Sequence, residues 1–152
     1  PSRATSRVDA PLSRGRAIVH QDAPPNNDPQ KMPAKPNRSG YEIVDFDQIR
    51  PVSCPCGLSR RALETVEDFP GTIHVTEIDQ EARLHYHKLL NEVYYFLECE
   101  PDARLQLGDE IIRVEPGLCV MIRPGTRHRA IGRMKVLILV TPKFDPDDEW
   151  FD

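Results

Sequence analysis

The chain has 152 residues, room for one domain whose core needs no disulfide or metal staple to fold. Its formal net charge of -4, with basic residues scattered among acids, excludes the basic stripe of a nucleic-acid binder. No run approaches the roughly 18 apolar residues of a membrane span, so neither nucleic acid nor membrane is an expected partner.

The opening residues lack the apolar stretch of a secretory signal. The four cysteines, Cys54, Cys56, Cys99 and Cys119, are too few and too unevenly spaced for a disulfide framework. The expectation is free thiols and a cytoplasmic location.

Residues 1–40 hold seven of the 15 prolines and almost no aromatic or β-branched residues, so they cannot bury enough apolar surface to offset their ordering entropy. They are predicted to be a disordered extension, or an arm that packs on a partner subunit. From Tyr41 apolar and polar residues alternate in short runs. The pattern predicts strands at 41–46, 72–78, 83–87, 92–98, 103–107, 110–114, 118–122, 126–131 and 134–141, with one helical turn conceivable within 57–66. Gly108-Asp109 supplies the chemistry of a tight hairpin, and Pro116-Gly117 and Pro124-Gly125 mark the next boundaries. Many short strands without a long 3.6-period segment predict an all-β sandwich or barrel over 41–152. The acidic tail carries Phe144, Trp150 and Phe151, rings expected to dock on that barrel; Glu149 and Trp150 could also fold over its mouth.

Side chains i and i+2 of a strand share a face, so His85 and His87 point the same way. Glu92 follows across a short turn, and His128 begins a late strand after Pro124-Gly125. Imidazole and carboxylate together suit a divalent first-row ion such as Fe, Mn, Zn or Ni, with Cu also compatible. By alternation Tyr94 and Phe96 line the same cavity as Glu92, where Tyr94 would orient a substrate, donate a proton or simply pack. Cys54-Pro55-Cys56-Gly57 is read as a turn with free thiols rather than a metal or redox pair. Arg60 and Arg61 either clamp an anion at the barrel mouth or form a solvated edge. Arg127 and Arg129 should point away from His128. His20 and His74 read as ordinary histidines outside the site.

These residues carry a resemblance. The segment 81–139 resembles a cupin, the double-stranded β-helix (jelly-roll) barrel whose first motif is G-x5-H-x-H-x(3,4)-E-x6-G and whose second is G-x5-P-x-G-x2-H-x3-N. His85, His87 and Glu92 match the first; Gly117, Gly125 and His128 match the second. Asp79, Cys99, Arg123 and Gly132 stand where the motifs have Gly, Gly, Pro and Asn, all turn or framework positions. The resemblance implies that His85, His87, Glu92 and His128 bind one divalent metal inside the barrel, with positions open to water or substrate.

It also implies either an enzyme with sugar-phosphate-isomerase-like or dioxygenase-like chemistry on a small polar metabolite, or a non-catalytic small-molecule or sugar-binding and sensing barrel. A homodimer is expected, both from the exposed edges of an antiparallel sheet and from the habit of the family.

Overall fold

The structure, a computed structural model, describes residues 40–79 and 82–151. The extension expected at 1–40, Gly40 apart, and His20 lie outside the described residues.

Among the described residues nine strands form two antiparallel sheets: β1 Val52–Cys54, β2 Gly57–Ala62, β3 Thr72–Ile78, β4 Asn91–Cys99, β5 Arg104–Leu107, β6 Glu110–Arg113, β7 Cys119–Ile122, β8 His128–Ile131 and β9 Met134–Thr141. The large sheet runs β1-β2-β3-β9-β4-β7 and the small one β6-β5-β8. Alternation is cleanest on β9, where Met134, Val136, Ile138 and Val140 are buried and the residues between them are not. Tyr94 and Phe96 of β4, Ile122 of β7, Leu105 of β5 and Ala130 of β8 meet them in one core between the sheets. This is an all-β double-stranded barrel.

Three local expectations are corrected. Residues 41–45 form no strand: the Asp45 side chain accepts a hydrogen bond from the Asp47 N–H at 3.0 Å and caps a short 3-10 turn, Phe46–Gln48. Residues 41–45 are all exposed, Ile43 at 84%, so burial does not hold that run extended. The helical turn conceivable within 57–66 is instead strand β2, because residues 58–62 pair along β3 from Leu58↔Glu77 to Ala62↔Ile73. Gly57 opens that strand at φ 142, where any Cβ would run into the Glu77 carbonyl. The run 83–87 makes only isolated bridges, His85 to His128 and Tyr86 to Trp150. The Gly108-Asp109 hairpin joins β5 to β6 with Leu107 opposite Glu110 and Gly108 at φ 59.

Candidate metal centre

The two sheets bring the four expected residues together from opposite sides. His85 lies antiparallel to β8: its N–H donates to the His128 carbonyl at 3.1 Å, and the His128 N–H returns to the His85 carbonyl at 2.8 Å. The His87 carbonyl accepts the Gly125 N–H at 2.6 Å, which ties the first histidine segment to the Pro124-Gly125 turn. Glu92 comes from the large sheet, between Val140 of β9 and Ile122 of β7. All four side chains are buried, and one ligand atom from each lies within 4.8 Å of the others.

Backbone contacts set the chemistry of the imidazoles. Nδ1 of His85 meets the Arg83 carbonyl at 2.9 Å, Nδ1 of His87 the Asp148 carbonyl at 2.7 Å, and Nδ1 of His128 the Thr126 carbonyl at 2.9 Å. A carbonyl only accepts, so each Nδ1 carries hydrogen, and a ring in its neutral form turns an Nε2 lone pair inward. Those lone pairs face the Glu92 carboxylate: His128 Nε2 is 2.9 Å and His87 Nε2 3.5 Å from Oε2. Close as they are, His128 Nε2 and Glu92 Oε2 are buried without a well-formed hydrogen bond. A buried group of three imidazoles and one carboxylate could hold a cation, and this donor set fits a divalent first-row ion.

The ionisation equilibria reflect the same crowding. Burial, then the charge of His128, lowers the His85 pKa to about 4. Burial alone would lower His128, but the close contact with the Glu92 carboxylate and its charge outweigh it and raise its pKa. For Glu92, burial pushes upward and the contact with His128 prevails, so its pKa falls.

The C-terminal tail completes the surroundings. Asp145 caps a second 3-10 turn, Pro146–Asp148. The buried Asp148 carboxylate accepts the N–H groups of Lys88, Leu89 and Leu90 at 2.9–3.1 Å, while its carbonyl holds His87. Burial raises the Asp148 pKa, but those amides and the Trp150 indole overcome it and hold it below the usual range. Trp150 exchanges two backbone hydrogen bonds with Tyr86 at 2.9 Å, and the Lys88 ammonium stands 3.1 Å over its ring. Glu149 turns inward, 3.9 Å from His85 Nε2, and burial raises its pKa. Phe151 lies beside the His85 ring and under the Arg83 guanidinium.

Beside the four residues is a cavity of about 30 Å³. Tyr94 lines it, 3% exposed, with its hydroxyl pKa driven upward by burial and by Glu92 and Glu149. Arg61 lines it too, whereas Arg60 turns away and pairs with Glu77 at 2.9 Å. Arg129 bonds Gln106 and Arg127 lies over Tyr86, neither lining the cavity. A larger groove of about 520 Å³ lies elsewhere, between the acidic residues Glu77, Glu98 and Glu100, and holds none of the four.

One expectation is extended here and one fails. His74, set aside in the sequence, is buried, lines the cavity and leaves Nε2 without a partner. Its inward phase on β3 was the available signal. Cys54 and Cys56 are not free thiols but a disulfide, and both line the same cavity. The turn between β1 and β2 pairs Cys54 with Gly57 and brings the two Cα atoms to 5.3 Å, within bridging range. That pairing removes one support for a reducing, cytoplasmic setting. Cys99 and Cys119 are free, and no helix among the described residues is long and apolar enough to cross a membrane.

Fold and site together define a barrel with a cluster of three histidines and one glutamate suited to one metal ion. No family model and no curated protein matches the chain. Solved structures do. A protein from Planctomyces limnophilus is 33% identical, covering 74% of this chain and 98% of its own, with a TM-score of 0.71. The Streptomyces nucleoside dehydratase Pac13 shares 14% identity over 72% of this chain and 89% of its own, TM-score 0.63. Ectoine synthase from P. lautus shares 17% over 72% and 88%, TM-score 0.60. The chain has the cupin barrel fold that these enzymes share.

Proposed function

We propose that the protein is a metal-dependent cupin enzyme acting on a small polar metabolite, with one divalent ion, Fe, Mn, Zn or Ni, held by His85, His87, Glu92 and His128. The observation that carries this is the convergence of three backbone-fixed Nε2 lone pairs on a buried carboxylate. A bound ion there supplies Lewis acidity to a carbonyl or hydroxyl oxygen. The two named enzymes of this fold, a nucleoside dehydratase and an ectoine synthase, support catalysis rather than passive binding.

Around that position the chain offers proton-handling groups. Tyr94, kept protonated by burial, presents an O–H donor in the cavity and orients the substrate. Glu149, whose pKa burial raises, stands across from it as a carboxyl able to accept or return a proton. Such a pair favours isomerase-like proton shifts beside a carbonyl over dioxygenase chemistry. We carry a homodimer forward on the exposed edge strand β1, whose outer side pairs with no described strand.

The test is turnover of candidate hydroxy- and oxo-metabolites by Fe(II)- and Mn(II)-loaded protein, followed by NMR and by oxygen uptake. Metal-dependent product without oxygen consumption supports the reading. Stoichiometric oxygen consumption favours the dioxygenase branch, and a ligand that raises thermal stability but is recovered unchanged contradicts catalysis.

A further inference from the structure

Strand register places a second set of polar groups beside the metal centre. Residues paired across a sheet point to the same face. The pairings run Arg61↔His74, His74↔Ile138, Ile138↔Tyr94 and Tyr94↔Val120, one row across β2, β3, β9, β4 and β7. Glu92, opposite Val140, lies in the adjacent inward row. Arg61 and His74 therefore stand on the inner face, in the same row across the sheet as Tyr94.

Neither has a use in the fold that accounts for its polarity. Arg61 Nε and His74 Nε2 are both buried without a hydrogen-bond partner, and His74 is 5% exposed. Phe144 lies under the Arg61 guanidinium at 4.2 Å and edge-on to the His74 ring at 5.3 Å, fixing both planes. Arg61 is the one Arg or Lys lining the cavity among the described residues. A guanidinium fork whose face is stacked and whose edge is free matches a carboxylate bidentately.

We propose that Arg61 and His74 form a carboxylate-binding subsite, so that the metabolite is a small carboxylic acid carrying a second oxygen that faces His85, His87, Glu92 and His128. The second oxygen and the charge balance of the cavity rest on the metal reading; the stacked, unpaired Arg61 and His74 do not. Glu92 and Glu149 oppose an anion, yet a divalent ion offsets both, and Arg61 then leaves the cavity with one net positive charge. His74, lowered to a pKa of about 4 by burial and then by Arg61, stays neutral at pH 7 and adds a hydrogen bond without competing for the anion.

The test measures malonate and azide binding by calorimetry to wild-type, Arg61→Gln and Arg61→Lys proteins, each metal-free and Mn(II)-loaded. Azide probes the metal alone; malonate reaches the metal with one carboxylate and Arg61 with the other. The expected result is at least a tenfold loss of malonate affinity in Arg61→Gln, equivalent to about 1.4 kcal/mol, and a smaller loss in Arg61→Lys, with Mn(II) and azide affinities unchanged. Malonate affinity equal to wild type in Arg61→Gln overturns the subsite; so does a parallel loss of Mn(II) and azide, which would make Arg61 structural. If no protein binds Mn(II), the metal reading fails by itself, and metal-free malonate binding that Arg61→Gln leaves intact still overturns the subsite.

Discussion

At His85, His87 and His128 the decisive atoms are the Nδ1 nitrogens, because their carbonyl partners orient the rings and leave Nε2 for a cation. His128→Ala removes one of the four proposed ligands, so its metal affinity should fall by more than the roughly 10–100-fold that losing an outer partner costs; chelator competition measures it. The metal-free protein also has a defined pH response. His74 and His85 titrate at about 4 in the fold against 6.5 as free groups. Between those values the unfolded chain binds more protons than the folded one, so stability falls as pH drops below 6.5. His128, raised, gives its share in full below 6.5, and Glu92, lowered, gives its share in full above 4.5, so neither reverses the slope between; Glu149, raised by burial, gains stability as pH falls toward 4.5 and offsets part of the loss from the two histidines. Thermal unfolding of metal-free protein should show the midpoint falling from pH 6.5 to 4.5, with a shallower fall in His74→Gln.

Among the elements, the tail turn Pro146–Asp148 matters most to the site although it supplies none of the four clustered residues. Asp148 fastens the Lys88 to Leu90 backbone with its carboxylate and orients His87 with its carbonyl. Asp148→Ala frees three buried or half-buried N–H groups. Since hydrogen bonds to a charged group contribute about 1.5–3 kcal/mol each and are not additive, a loss of about 2–4 kcal/mol is expected in denaturant titration. A roughly tenfold weaker metal affinity should accompany it.

That role was invisible in the sequence, where Asp148 is one of several tail acids and its partners lie about 60 residues away. The strands at 72–78 and 134–141 were legible because both are rich in β-branched residues, and so were the four clustered residues, three of them within 85–92 and His128 just after the Pro124-Gly125 turn. His74 was missed because strand phase names the face but not the neighbour: only the pairing of β3 with β2 and β9 sets it beside Arg61. The Cys54–Cys56 bridge was misread because a hairpin turn, not the two-residue spacing, brings those Cα atoms together.

Over the whole molecule, two sheets close on an apolar core at Phe96, Leu105, Val136 and Val140, and the polar cluster sits where Glu92 of the large sheet meets the histidines beside the small one. A cation at that junction links the sheets, so binding stabilises the fold by RT ln(1 + [L]/Kd), about 4 kcal/mol at a thousandfold excess over Kd. The central claim is that this junction is a metal centre, and metal analysis of protein purified without added metal, followed by titration of the metal-free form, tests it most directly. One divalent ion per chain, bound by the wild type with a rise in unfolding temperature and lost in His128→Ala, is the predicted result. A wild-type protein that carries no stoichiometric ion and takes up none on titration contradicts the account.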